Sequence, residues 1–78
     1  MILTNTEYTN WLHNDLGLNS NPEYATNVSN ITLKNIKNIT KLDYFINTTH
    51  IFLSDCTNID SSIDWAKFTK LEHLFIMN

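Results

Sequence analysis

One stretch constrains this chain more than any other. Val28-Ser-Asn-Ile31-Thr-Leu33-Lys-Asn-Ile36 recurs as Thr48-Thr-His-Ile51-Phe-Leu53-Ser-Asp-Cys56 and again as Leu71-Glu-His-Leu74-Phe-Ile76-Met-Asn78. The common frame is apolar-x-x-apolar-x-apolar, with Thr48 at the first position of the second copy. Ile31 to Ile51 spans 20 residues and Ile51 to Leu74 spans 23. One short strand per period in the twenties marks a solenoid, because no such unit buries its apolar face alone. Strand alternation turns Ile31 and Leu33, Ile51 and Leu53, and Leu74 and Ile76 to one core.

The expected elements follow in chain order. Thr4 and Glu7 form a capping box, and Tyr8, Trp11, Leu12 and Leu16 share one face of a helix over residues 5–16. That helix is expected to lid the first repeat, since a solenoid exposes its core at each end. Gly17 is placed to stop it, with Leu18 folding back. Asn19 to Asn27 reads as a connector, with one helical turn across Pro22–Thr26. Strands are expected at about Asn30–Lys34, His50–Ser54 and Glu72–Met77. Ile36, Ile39, Leu42 and Phe45 step by threes, as short 3₁₀ or α turns do. Asp60 or Ser61 is expected to cap a helix across Ser61–Phe68, with Ile63 and Phe68 inward and Asp64 and Lys67 in water.

The repeat closely resembles the leucine-rich repeat, L-x-x-L-x-L-x-x-N/C-x-L, and Cys56 falls on its N/C position. The runs Ile36-Lys-Asn-Ile-Thr-Lys-Leu42 and Ile63 to Asn78 look like internalin-type repeats, a group to which a helical N-terminal cap also belongs. The resemblance covers about residues 28–78. It implies an α/β fold: a minimal leucine-rich-repeat solenoid with a short parallel three-stranded sheet, a helical N-cap, and convex-side helices or 3₁₀ turns. The chain then reads as one domain, residues 1–78, with a cap and connector over 1–27. Residues 28–78 hold two full repeats and a truncated third.

Composition narrows the function classes. Five lysines, no arginine and eight carboxylates give a net charge of −3, and arginine leads both base readout and phosphate clamping. Direct nucleic-acid binding is therefore not expected. The only glycine leaves no phosphate-cradling loop, and no Ser-His-Asp spacing or close carboxylate pair is legible. An enzyme is not expected, nor a cofactor. The lone Cys56 excludes an internal disulfide, Met1-Ile-Leu-Thr has no basic n-region, and no apolar run is long enough to span a membrane. These features together predict a cytoplasmic protein.

The expected binding residues come from strand phase. Residues flanking the core positions line the concave face in three rows: Asn30, His50, His73; Thr32, Phe52, Phe75; and Lys34, Ser54, Met77. A clustered aromatic patch marks an interface, with an N-terminal segment folding over it as the structural alternative. Phe52, Phe75 and Met77 are expected to anchor a protein partner, with His50, His73 and Lys34 as the polar rim. His50 and His73 alone do not make a metal site, which needs three or four ligands, and Cys56 is expected to be buried and inert. The expected function is a non-enzymatic protein–protein interaction module. The alternative is a small acidic inhibitor of the phage type, anti-CRISPR-like or a DNA mimic, using Asp43, Asp55, Asp60 and Asp64. A homodimer is also expected. The third strand has no lysine, proline or bulge to blunt its edge, so Leu74, Phe75, Ile76 and Met77 should pair with a second copy.

Overall fold

A computed structural model describes residues 2–16 and 22–77. The first strand, β1 (Ile2–Leu3), leads into helix α1 (Asn5–Asn10), a π-helical segment (Trp11–Leu16) and a short helix α2 (Pro22–Thr26). Strands β2 (Asn30–Lys34), β3 (Lys37–Ile39), β4 (His50–Ser54), β5 (Thr57–Ile59) and β6 (His73–Met77) follow. Single 3₁₀ turns at Leu42–Tyr44 and Trp65–Lys67 interrupt them. The main sheet is parallel in the order β1-β2-β4-β6, and β3 and β5 form a second parallel pair. The chain is thus α/β with a parallel sheet, and strands β2 and β4 fall where strand alternation predicts them.

The register repeats from strand to strand. Ile31 lies beside Ile51 and then Leu74, and Leu33 beside Leu53 and then Ile76. Ile31, Leu33, Ile51 and Leu53 are buried, and Val28, Ile39, Leu42, Phe45, Ile63 and Phe68 close the same core. Trp11 packs its indole 4.6 Å from the Phe45 ring, and so seals the end of the core nearest the N-terminus.

Asparagine and aspartate make the turns that glycine usually makes. Asn35 and Asp55 follow equivalent strands with φ of 55° and 54°, and Asn38 and Asn58 sit at 64° and 51°. Their short polar side chains tolerate the left-handed region at little cost. Asn58 also donates its amide to Asn38 Oδ1 at 3.1 Å, a side-chain link between the paired strands β3 and β5. This substitution explains how a chain with one glycine bends so often.

Several expectations are corrected. The main sheet has four strands, not three: Ile2–Leu3 pairs with Asn30–Ile31, and two residues are too few to show alternation. Below β1, the Asn5 side chain continues the pairing like a peptide group. Its amide donates to Lys34 O (2.7 Å) and accepts from Lys34 N (2.9 Å). The helix expected over residues 5–16 is α-helical only to Asn10, and apolar spacing over six residues does not separate an α turn from a π turn. No capping box closes, because the Thr4 hydroxyl donates to the Glu7 carboxylate instead of accepting from a helical N–H.

The helix expected across Ser61–Phe68 is a turn and a 3₁₀ segment. The Asp60 carboxylate takes the Ser62 N–H (2.9 Å) and Asp64 takes the Ala66 N–H (3.1 Å). Such local side-chain bonds compete with helical ones. The bonds from Ser62 also hold the Asp60 carboxyl below its ordinary range. The stop expected at Gly17, with Leu18 folding back, and the first part of the connector from Asn19 lie outside the described residues.

Cys56 is 4% exposed, and its thiol points at the carbonyls of Leu33 and Ser54, 3.5 Å from each. A thiol reagent should therefore label it slowly in native buffer and quickly in denaturant. Fast native labelling would place the thiol at the surface and remove its role in the turn after β4.

Candidate interaction surface

Alternation along β2, β4 and β6 sends every second side chain away from the core, and register places these in rows. Asn30, His50 and His73 form one row, Thr32, Phe52 and Phe75 the next, and Lys34, Ser54 and Met77 the third. The structure therefore brings together the residues that strand phase singles out. Lys34, His50, His73, Phe75 and Met77 are exposed, and Phe52 is half-buried between its neighbours.

Two stacks dominate the face. The Phe52 and Phe75 rings lie 5.7 Å apart with an interplanar angle of 10°, and His50 and His73 lie 4.7 Å apart at 23°. Parallel in-register strands force this, since identical residues come to lie one strand spacing apart. The His50 ring is held further by Thr49, whose hydroxyl lies 2.8 Å from Nδ1. Thr49 Oγ1 also donates to Ser29 O, as does buried Thr48, so the turn entering β4 is fixed from both sides. Each ring is thus packed on one side by its neighbour in the next strand.

A shallow groove runs across the upper rows between Ile2 and the paired rings of His50, Phe52, His73 and Phe75. Ile2 escapes the sequence reading. It lies beside Asn30 at the head of the histidine row and is 56% exposed, giving the groove an aliphatic wall. A clearer signal would have been the Ile2-Leu3 pair itself, read as a strand fragment with Leu3 inward. Met77 stands in the lowest row, at the free edge of the sheet.

Among the described residues no third His, Cys, Asp or Glu joins His50 and His73 in a group able to hold a metal ion. The acidic side chains Asp43, Asp55, Asp60 and Asp64 are not gathered on the groove; Asp43 instead accepts the Asp64 N–H at 3.1 Å. Also among the described residues, no helix is long and apolar enough to cross a membrane. No family model matches this chain, and no curated protein or solved structure does either.

Proposed function

We propose that this chain is a non-enzymatic protein–protein interaction module. It would be a minimal solenoid of the leucine-rich-repeat kind with a helical cap, binding a protein partner through the exposed face of its main sheet. The observation that supports this is the pair of ring stacks, Phe52 on Phe75 and His50 on His73, on one open face. Isolated apolar side chains are common on surfaces, whereas clustered aromatics are the usual anchors of an interface. Phe52, Phe75 and Met77 supply apolar contact, while His50, His73 and Lys34 supply directional contacts around it.

The test is capture of partners from the source cells with the intact chain, compared with Phe75→Ala. That variant is expected to weaken the partner about tenfold or more, whereas Trp65→Ala, outside the three rows, is expected to leave it bound. Salt gives a further reading. A partner held by apolar anchors should stay bound as ionic strength rises about tenfold, while one held by surface charge should be released. Steep release by salt, with Phe75→Ala harmless, would move the binding site to the acidic loops that a small acidic inhibitor would use.

A further inference from the structure

On the reading that the sheet face binds a protein, we infer that the bound segment is extended, runs along β2, and carries an aromatic ring two residues from a carboxylate. Side-chain height across the sheet shapes the site. The outward positions of β2 hold Asn30 and Thr32, which are short, while the rings of His50 and Phe52 stand beside them on β4. On the other side of β2, Ile2 pairs with Asn30, and Thr4 borders Thr32. Strand β2 is therefore the floor of a trough.

Two shallow grooves meet in this trough at Thr32. The upper one, about 330 Å³, is walled by Ile2, His50 and Phe52, and the lower one, about 290 Å³, by Thr4, Asn5 and Lys34. The upper part fits one flat ring. Ile2 on β1 and the rings on β4 stand two strand spacings apart, about 9.6 Å, so a ring midway lies about 4.8 Å from Phe52, within stacking range. Phe75 covers one face of the Phe52 ring, 5.7 Å away at 10°, and the other face is turned to the trough over Thr32. A partner ring there adds a third member to the stack. A strand added beside β6 would lengthen the rows and leave the trough open, since it lies between β1 and β4.

Charge selects what flanks that ring. Among the described residues lining the two grooves there is no carboxylate, and Lys34 is the one ammonium. Glu7, on α1, receives the Thr4 hydroxyl and lines neither groove. A partner cation laid on Phe52 would meet Lys34 with nothing on the walls to neutralise it. A carboxylate meets Lys34 favourably. Thr32 and Lys34 are two residues apart on β2, about 6.6 Å along the strand, and an extended segment above them advances at the same rise. Its side chains at i and i+2 share a face, so a ring over Thr32 places a carboxylate two residues on at Lys34. The Asn5 amide holds the Lys34 backbone at both its N–H and its C=O, which fixes the base of the lysine. One exposed lysine contributes little and is screened by salt, so the ring holds the segment and the charge orients it.

The experiment is an amide NMR titration of the 78-residue chain with three end-blocked pentapeptides built on Ser and Thr. The first carries Trp and, two residues on, Asp; the second has Lys for that Asp, and the third has Leu for that Trp. The Trp–Asp peptide is expected to saturate with a dissociation constant of about 1 mM, to move the amides of Thr32, Phe52 and Lys34, and to bind at least about fivefold more tightly than either other peptide. Lys34→Gln should remove the preference for Asp over Lys, and Thr32→Trp, which fills the trough with its own ring, should abolish saturation. No saturation by any peptide up to about 10 mM, or equal binding of the Trp–Asp and Trp–Lys peptides, overturns the inference. If Thr32→Trp fails to fold, Lys34→Gln decides, and an undiminished preference for Asp in that variant overturns it. Capture from the source cells separates this inference from the reading beneath it. A partner lost with Phe75→Ala but kept by folded Thr32→Trp leaves the face a binding surface and overturns the segment in the trough. A partner kept by both variants overturns the face itself.

Discussion

Leu53→Ala is expected to lower the free energy of unfolding by about 2–5 kcal/mol, through lost apolar transfer and the cavity left behind. Leu53 has no exposed surface and sits between Leu33 on β2 and Ile76 on β6, near the middle of the shared core. A core this small supplies only about 3–5 kcal/mol of net stability, so the variant should be largely unfolded. Phe52→Ala, one residue away on the opposite face, should cost less than about 1 kcal/mol, because its ring packs on Phe75 at the surface and not in the core. Urea melts of the two variants separate these outcomes. Equal losses would mean that the strand phase is displaced by one residue, exchanging core and surface along the whole sheet.

That contrast also shows what was legible in the chain. Strands β2 and β4 were readable to the residue because alternation is strict there and the frame recurs, and β6 began one residue later than expected. The rows of the exposed sheet face followed from the same phase, since parallel in-register pairing leaves no freedom once the repeat is aligned. The inward phase of Leu74 and Ile76 was also readable, but no strand covers them among the described residues, so both remain about half exposed.

What failed to show was structure held by single side chains. Nothing in the spacing marks Asn5 as an amide that pairs with the Lys34 backbone, or Asp60 and Asp64 as residues that divert N–H groups from a helix. Each is a polar residue in a polar stretch, and its partner is fixed only by the folded backbone. The left-handed residues Asn35, Asn38, Asp55 and Asn58 carried a trace, as Asn or Asp at 20-residue intervals. The left-handed Lys41 carried none.

Tyr8→Phe is expected to destabilise the chain by about 1–3 kcal/mol, because it strips two backbone groups of their partner at once. The Tyr8 hydroxyl donates to Thr40 O at 2.7 Å and accepts from Thr40 N–H at 2.9 Å, joining helix α1 to the residue just after β3. Thr40 is only half-buried, and water reaching it keeps the loss toward the lower part of that range. The same bonds give the variant a signature in pH. Burial raises the phenol above its ordinary value of 10.0, outweighing the hydrogen bond from Thr40 N–H, which favours the phenolate. The unfolded phenol therefore loses its proton first. Between the two values the folded chain holds more protons, so stability falls as pH rises through and beyond 10.0. Below that range the contribution is fully present. Phe cannot ionise, so the gap between wild type and Tyr8→Phe should be widest at neutral pH and should narrow above about pH 10, the lysines and other tyrosines being common to both chains. Urea melts in pairs across that range measure the gap directly. A gap that stays constant through pH 11 or so would show that the phenol is not held neutral by the fold, and the cap would then be fixed chiefly by Trp11 against Phe45.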